Sequence, residues 1–258
     1  MTLLSFHKYH GTGNDFIMID NRETHYNLTQ ETIAAMCHRR FGIGADGLIL
    51  LQDVAAYDFQ MVYYNANGTE GSMCGNGGRC TVQFAKDLGL IDQQAHFLAV
   101  DGSHQASLKE GLIHLKMQNV KEIASCPDYF FVDTGSPHYV AWVDDLPQYD
   151  VFKEGKAIRN NEHFKEEGTN VNFIEKVDAH TLQVRTYERG VEDETYSCGT
   201  GVTAAALVYS LQDVPSPIHI QTKGGKLQVS FQQDSPHVFS EIYLIGPAQK
   251  VFEGTYNI

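Results

Sequence analysis

The sequence predicts an α/β chain of the α+β kind: two similar domains, each a sheet wrapped around one central helix. Three observations predict it. Two segments share one design, Cys74-Gly75-Asn76-Gly77-Gly78-Arg79-Cys80 and Cys198-Gly199-Thr200-Gly201-Val202-Thr203-Ala204, and they lie nearly half of the 258-residue chain apart. Each opens a run that reads as an apolar helix, set among short segments that alternate as strands do. The chain also carries 13 Tyr and 14 Phe, residues that favour sheet.

The elements follow in order. Thr29 can cap a helix to about Arg39, with Ile33, Met36 and Cys37 on its apolar side. Phe41 to Gly47 is a glycine loop, Leu48 to Leu51 a buried strand and Asp58 to Tyr64 an alternating strand. Asn65-Ala66-Asn67-Gly68 is turn chemistry. A helix runs from near Gly75 to Leu88, burying Val82, Phe84, Ala85 and Leu88, and Gly89 stops it. His96 to Val100 reads as a strand, and Leu108 and Leu112 flank a hairpin at Glu110-Gly111. In the second half, Val132 to His138 is a turn before a strand from Tyr139 to Val143. Asn170 to Val177 and Thr181 to Glu188 form a hairpin, Val202 to Leu211 is an apolar helix, and Ile218 to Gln221, Lys226 to Phe231 and Val238 to Leu244 are strands. The boundary between halves falls best at Asn119 to Pro127.

A net charge of −13 argues against nucleic acid or an anionic membrane surface as partner, since both call for basic surface. No stretch is apolar for long enough to be a signal peptide or to span a bilayer. A cytoplasmic protein is expected, and five cysteines, an odd number in no regular framework, suit a reducing compartment. No metal is expected, because no Cys-x2-Cys or His-x3-His spacing surrounds a cysteine. The glycine loops lack the lysine of a phosphate-binding loop, and no dinucleotide fingerprint follows the first strand.

The cysteines carry the chemistry. A thiolate at a helix N-terminus is stabilised by the helix dipole and by N–H groups that have no partner in the helix. Two such thiols in matching halves suit a single small substrate: one removes a proton from a carbon and the other returns a proton to the opposite face, inverting it. The same N–H groups can hold a carboxylate and the charge that grows on it during deprotonation. The plainer alternative is two buried structural cysteines in a duplicated fold. Cys80 and Cys37 read as core packing, and Asp46 as an anchor for loop N–H groups.

At this point the residues resemble a known family. Tyr64-Asn65-Ala66-Asn67-Gly68-Thr69-Glu70 with Met73 to Cys80 resembles the first cysteine signature of the diaminopimelate epimerases. His10 to Phe16 resembles their N-terminal motif, and Glu188-Arg189-Gly190, Glu194-Thr195 and Cys198-Gly199-Thr200-Gly201 resemble their second signature. The resemblance spans nearly the whole chain. It implies two similar domains, each a curved, mostly antiparallel sheet around a central helix: 1–118 with a returning strand in 249–258, carrying Cys74, and 119–248, carrying Cys198. The active site would lie in the cleft between them.

The resemblance further implies an epimerase without cofactor that interconverts LL- and meso-2,6-diaminopimelate for lysine and peptidoglycan synthesis, as a homodimer. Cys74 and Cys198 would exchange the roles of base and acid. The N–H groups of Gly75, Asn76, Gly199 and Thr200 would bind the reacting carboxylate. Asn14, Asn65, Asn170 and Arg189 would grip the distal end, Glu188 would meet the reacting ammonium group, and His138 would sit beside the reacting end.

Two departures from the family pattern stand out. Ser136 occupies a position where the family usually has an asparagine that helps hold the distal end. The stretch Val191 to Thr195 is one residue longer than usual, and a bulge is expected there. Alternatives to each role remain: Asn14 and Asn65 lie in turns where asparagine is common, Arg189 could form a surface ion pair, and His138 could be a loop histidine with its hydrogen bonds satisfied. Alternatives to the function are a racemase of another amino acid, such as histidine, on the same scaffold, and a redox-sensing dithiol protein in which Cys74 and Cys198 join reversibly. Isomerases of the phenazine-pathway type share the fold without the thiol pair.

Overall fold

A computed structural model describes residues 3–258, so the first two residues of the expected domain 1–118 lie outside the described residues. The chain divides into two compact units, Met1–Leu115 with Gly246–Ile258, and Lys116–Ile245.

The first unit is built from β1 (Leu3–Gly11), β2 (Asn14–Asp20), α1 (Gln30–Cys37), β3 (Gly47–Gln52), β4 (Phe59–Asn65), α2 (Gly75–Asp87), β5 (Gln94–Ala99), β6 (Gly102–Lys109) and β7 (Leu112–Lys116). Neighbours in sequence are neighbours in the sheet. β1–β2 is antiparallel, β2–β3 parallel, β3–β4 antiparallel, β4–β5 parallel, and β5–β6 and β6–β7 antiparallel. A parallel pair needs a crossover, and α1 and α2 supply the two that this order requires. Thr29 caps α1 by accepting from the Thr32 N–H at 3.2 Å. The helix ends at Cys37 rather than near Arg39, because His38 turns into extended backbone. α2 lies against β1, β2, β3 and β4, with Cys80, Val82, Phe84 and Ala85 buried. Gly77 lets it approach the sheet: a Cβ there would sit 3.1 Å from both Ile49 Cδ1 and Met61 Cε.

The second unit comprises β8 (Ala124–Ser125), β9 (Phe130–Asp133), β10 (Pro137–Trp142), α3 (Val151–Arg159), β11 (Asn170–Lys176), β12 (Thr181–Glu188), β13 (Asp193–Thr195), α4 (Gly199–Ser210), β14 (Ile218–Thr222), β15 (Gly225–Ser235) and β16 (Val238–Gly246). Its pairings repeat those of the first unit. β9–β10 is antiparallel, β10–β11 parallel, β11–β12 antiparallel, β12–β14 parallel, and β14–β15 and β15–β16 antiparallel. Here α3 and α4 fill the crossovers that α1 and α2 fill in the first unit. Every residue of α4 except Thr200 is buried, as a helix apolar on all sides must be. The last strand, β17 (Gln249–Asn257), runs antiparallel to β1 from Leu3↔Asn257 to His10↔Gln249.

The α+β class and the arrangement of sheet around one central helix, twice over, are those expected from the sequence. No helix among the described residues is long and apolar enough to cross a membrane. The longer stretch after Glu188 is accommodated in the loop and not in the strands. β12 and β13 pair without a register shift through Glu188↔Asp193, Tyr187↔Glu194 and Thr186↔Thr195. The extra length is absorbed in the hairpin turn, where Glu192 takes a left-handed conformation (φ 58°) and its N–H donates to the Glu188 carbonyl at 2.8 Å.

Candidate active site

In the first unit, Cys74 is the N-cap of α2, with extended backbone (φ −107°, ψ 122°). Its carbonyl accepts from the Gly78 N–H at 2.7 Å, closing the first helical turn. The N–H groups of Gly75 and Asn76 therefore belong to the helix head, where no intrahelical acceptor exists. The Cys74 side chain donates to Asn14 Oδ1 at 3.6 Å. Asn76 Nδ2 donates to the same oxygen at 3.2 Å, and Asn14 Nδ2 donates to Asp46 Oδ2 at 2.8 Å. Asn14, at the first position of β2, thus ties the sulfur and the helix head to the loop before β3.

Behind Asn14 runs an ionic chain that sequence reading left out, apart from Asp46. Lys8 pairs with Asp15 at 2.7 Å, and Arg39 with Asp15 at 2.7 Å and Asp46 at 2.6 Å. Lys8 also donates to the Gly44 carbonyl. Burial works against the charge on Asp15, but hydrogen bonds from Arg39 and Lys8 outweigh it and bring the carboxyl down to about 2. Asp46 thus anchors Asn14 and the Asp15 N–H, which matches its reading as a structural residue. Asn65 serves its turn: its N–H donates to the Thr69 carbonyl at 2.9 Å, and its amide lies 3.3 Å from Thr69 Oγ1. Cys80 and Cys37 are buried in the core, where burial raises both thiols, Cys37 to about 12.

In the second unit, Cys198 is the N-cap of α4 with nearly the same backbone (φ −111°, ψ 115°). It is buried, and its sulfur lies 3.5 Å from Thr200 Oγ1. The Thr200 carbonyl accepts from Thr134 Oγ1 at 2.9 Å, which fastens the helix head to the turn before β10. Ser136 sits half-buried in that turn. His138 is fully buried, and burial together with the charge of Arg189 lowers it to about 3. Its Nδ1 lies 3.0 Å from Asn172 Nδ2, while Asn172 Oδ1 accepts from Thr186 at 2.9 Å. The amide therefore donates to Nδ1, and the proton of the neutral ring is on Nε2, which has no protein partner among the described residues.

Sequence reading missed Asn172. It lies two residues past Asn170 on the same face of β11, and a Cβ on Gly201 would fall 2.4 Å from its Oδ1 and 3.3 Å from Cys198 Sγ. His138, Asn172 and Cys198 thus converge on the head of α4. Asn170 is buried and its amide is engaged locally: Oδ1 accepts from the Arg189 N–H at 2.9 Å and Nδ2 donates to the Pro137 carbonyl at 3.2 Å. Arg189 is exposed and held by Glu167, whose carbonyl accepts from Nη1 at 2.8 Å. Glu188 Oε2 accepts from Thr195 Oγ1 at 2.9 Å. Among the described residues, no three His, Cys, Asp or Glu side chains group to hold a metal ion.

Each unit therefore presents a thiol at the head of a buried helix, beside glycine-flanked N–H groups. Residues 6–122 and 130–251 match the family profile described as diaminopimelate epimerase. The diaminopimelate epimerase of Flavobacterium psychrophilum is 48% identical over 256 residues, covering 98% of this chain and 100% of that protein. That of Chlorobaculum tepidum is 46% identical, covering 96% and 99%. Among solved structures, a phenazine biosynthesis protein of the PhzF family from Bacillus anthracis matches with a TM-score of 0.78 at 16% identity over 100% of both chains, a likeness of fold alone. The family profile and these relatives define an enzyme of the isomerase class, an epimerase. The chain belongs to the diaminopimelate epimerase family.

Proposed function

We propose that this enzyme interconverts LL- and meso-2,6-diaminopimelate by a two-base mechanism without cofactor, with Cys74 and Cys198 as base and acid. The observation that carries the reading is the equivalence of the two cysteines. Each is the N-cap of the helix in the second parallel crossover of its unit, with backbone angles that differ by only a few degrees.

In the forward direction one sulfur, as thiolate, takes the hydrogen of the α-carbon as a proton. The electron pair of the broken C–H bond moves into the carboxylate, which gains negative charge. The N–H groups of Gly75, Asn76, Gly199 and Thr200 stabilise that charge; loss of one such donor typically costs about 10²–10³ in rate. The second sulfur, as thiol, gives its proton to the opposite face. The carbon is inverted, and thiol and thiolate have exchanged places, so the enzyme is ready for the reverse reaction. Both sulfurs must reach the same carbon for this to work.

Glu188 is assigned to the reacting ammonium group and Arg189 to the distal carboxylate, with a bidentate contact as its role. Asn170 then contributes by holding the Arg189 backbone. Asn14, Asn65 and Ser136 complete the grip on the substrate. His138, uncharged, offers its Nε2 proton near the Cys198 side. The enzyme is assigned to the cytoplasm, as a homodimer, in the synthesis of lysine and peptidoglycan precursors.

The test is hydrogen exchange. The protein is incubated with meso-diaminopimelate in D₂O, without added cofactor, and the α-proton signals are followed by NMR. Exchange at the D-configured centre with appearance of the LL isomer is expected, and Cys74→Ala or Cys198→Ala should abolish inversion while leaving the circular dichroism spectrum unchanged. Exchange of histidine but not of diaminopimelate would establish a racemase instead. Near-normal inversion by either alanine variant would overturn the two-base mechanism.

A further inference from the structure

Arg79 follows Cys74 on α2 and is fully buried. Its partners are uncharged: Nη2 donates to Asn76 Oδ1 at 3.0 Å and to Thr12 Oγ1 at 3.3 Å, and Nη1 donates to the Gly75 carbonyl at 3.4 Å. Nε has no hydrogen-bond partner among the described residues. The closest acids of the site are already engaged, Asp15 by Lys8 and Arg39, and Asp46 by Arg39. Two acids and two bases cancel, so Arg79 stands as the surplus positive charge of this region.

A buried cation without a counter-ion is costly. Burial lowers Arg79 to about 10, so it remains a cation at neutral pH, and an ionised sulfur at Cys80 or Cys74 would raise it. Two groups can therefore supply the missing anion. Cys80 is fully buried, and burial pushes its thiol far above the ordinary range. Cys74, half-buried at the helix head, is the one left to ionise.

The second unit has the same backbone cradle without this charge. Thr203 stands where Arg79 stands in the first signature, and its hydroxyl donates to the Gly199 carbonyl at 2.9 Å. Beside Cys198 lie the Thr200 hydroxyl and, across Gly201, the Asn172 amide, to which the neutral ring of His138 is bonded.

We propose that Arg79 is a positioning residue for the first thiol: it clamps the β1–β2 turn to the head of α2 and supplies the positive charge that makes Cys74 the more readily ionised of the two catalytic sulfurs. This rests on reading the cysteines as base and acid. The Asn14 carbonyl, which accepts from the Cys74 sulfur, favours the protonated form, so Asn14 and Arg79 together poise the sulfur between thiol and thiolate. The other titratable groups of this region are Cys80 on α2, Lys8 on β1, Asp15 on β2, Arg39 beyond α1 and Asp46 before β3. In the second unit they are His138 on β10, and Glu188 and Arg189 at the end of β12.

Differential alkylation tests the proposal. The reduced full-length protein, without substrate, is treated with iodoacetamide across about pH 5 to 9, and each cysteine-containing peptide is quantified by mass spectrometry. Cys74 is expected to react at a pH midpoint at least about one unit below that of Cys198. Arg79→Met should raise the Cys74 midpoint by about one to three pH units, Arg79→Lys should restore most of it, and neither should move Cys198. A Cys198 midpoint equal to or below that of Cys74 in the unaltered protein overturns the proposal, and this arm needs no variant to fold. So does an unchanged Cys74 midpoint in a folded Arg79→Met protein. Because no substrate is present, failure to epimerise diaminopimelate leaves this outcome separate.

Discussion

His138 shows how burial sets the state of a single residue. Unfolded, its ring titrates near the ordinary 6.5; folded, burial and Arg189 hold it down to about 3. Below the ordinary value the unfolded chain binds a proton that the folded chain refuses, so stability falls as pH drops from about 6.5 toward 3. Asp15 acts in the same direction by a different route. Its carboxyl, held down to about 2, contributes stability that is present above the ordinary 3.8 and is lost as pH falls through 2. Nitrogen-15 NMR of the histidine rings should show His138 as the neutral Nε2–H tautomer down to about pH 5. A titration midpoint near the ordinary value would contradict both its burial and its bond to Asn172. The histidine was legible in Ser136-Pro137-His138, though as part of a turn rather than of β10, where it lies, whereas Asn172 was not, since nothing in a strand asparagine says which side chain it will meet.

At the scale of elements, the strands and helices that alternate or repeat cleanly were legible: α1 with its Thr29 cap, α2 with its Gly89 stop, and the β11–β12 hairpin. α3 was not. Its nine residues, Val151–Arg159, are short for a helix and have Gly155 at their centre, which weakens the signal. Packing explains it: Gly155 is buried against Tyr187 on β12, and a Cβ there would lie 2.3 Å from Tyr187 Cβ. Two effects compete in Gly155→Ala. Helix propensity favours alanine by about 0.5–1 kcal/mol, while overpacking costs about 1–3 kcal/mol. The neighbouring atom is close to backbone and cannot swing aside, so the cost prevails. Urea denaturation of Gly155→Ala is expected to show a net loss of about 1–2 kcal/mol; a gain would mean that α3 shifts freely on the sheet.

At the scale of the whole molecule, duplication organises everything. Both units repeat one order of antiparallel and parallel pairs, and each lodges its cysteine at the start of the helix in the second crossover. The copies have diverged five residues past the cysteine, where the first carries Arg79 and the second Thr203. The proposed dimer belongs to this scale too. Light scattering on the purified protein is expected to give twice the chain mass at micromolar concentration; a monomer mass with full activity would remove the dimer from the functional reading.

The sequence by itself determined the α+β class, the duplication, the two cysteine-headed helices and the family. These rest on local signals: hydrophobic periodicity, cap and turn residues, and motifs that the chain carries wherever it folds. Only the tertiary structure decided which side chains meet: that Asn14 touches Cys74, that Asn170 holds the backbone of Arg189, that Asn172 faces Cys198 across a glycine, and that Arg79 is buried without a carboxylate. The reason is physical. Burial and hydrogen-bond partnership depend on residues far apart in the chain, and they, more than residue type, govern where a proton rests.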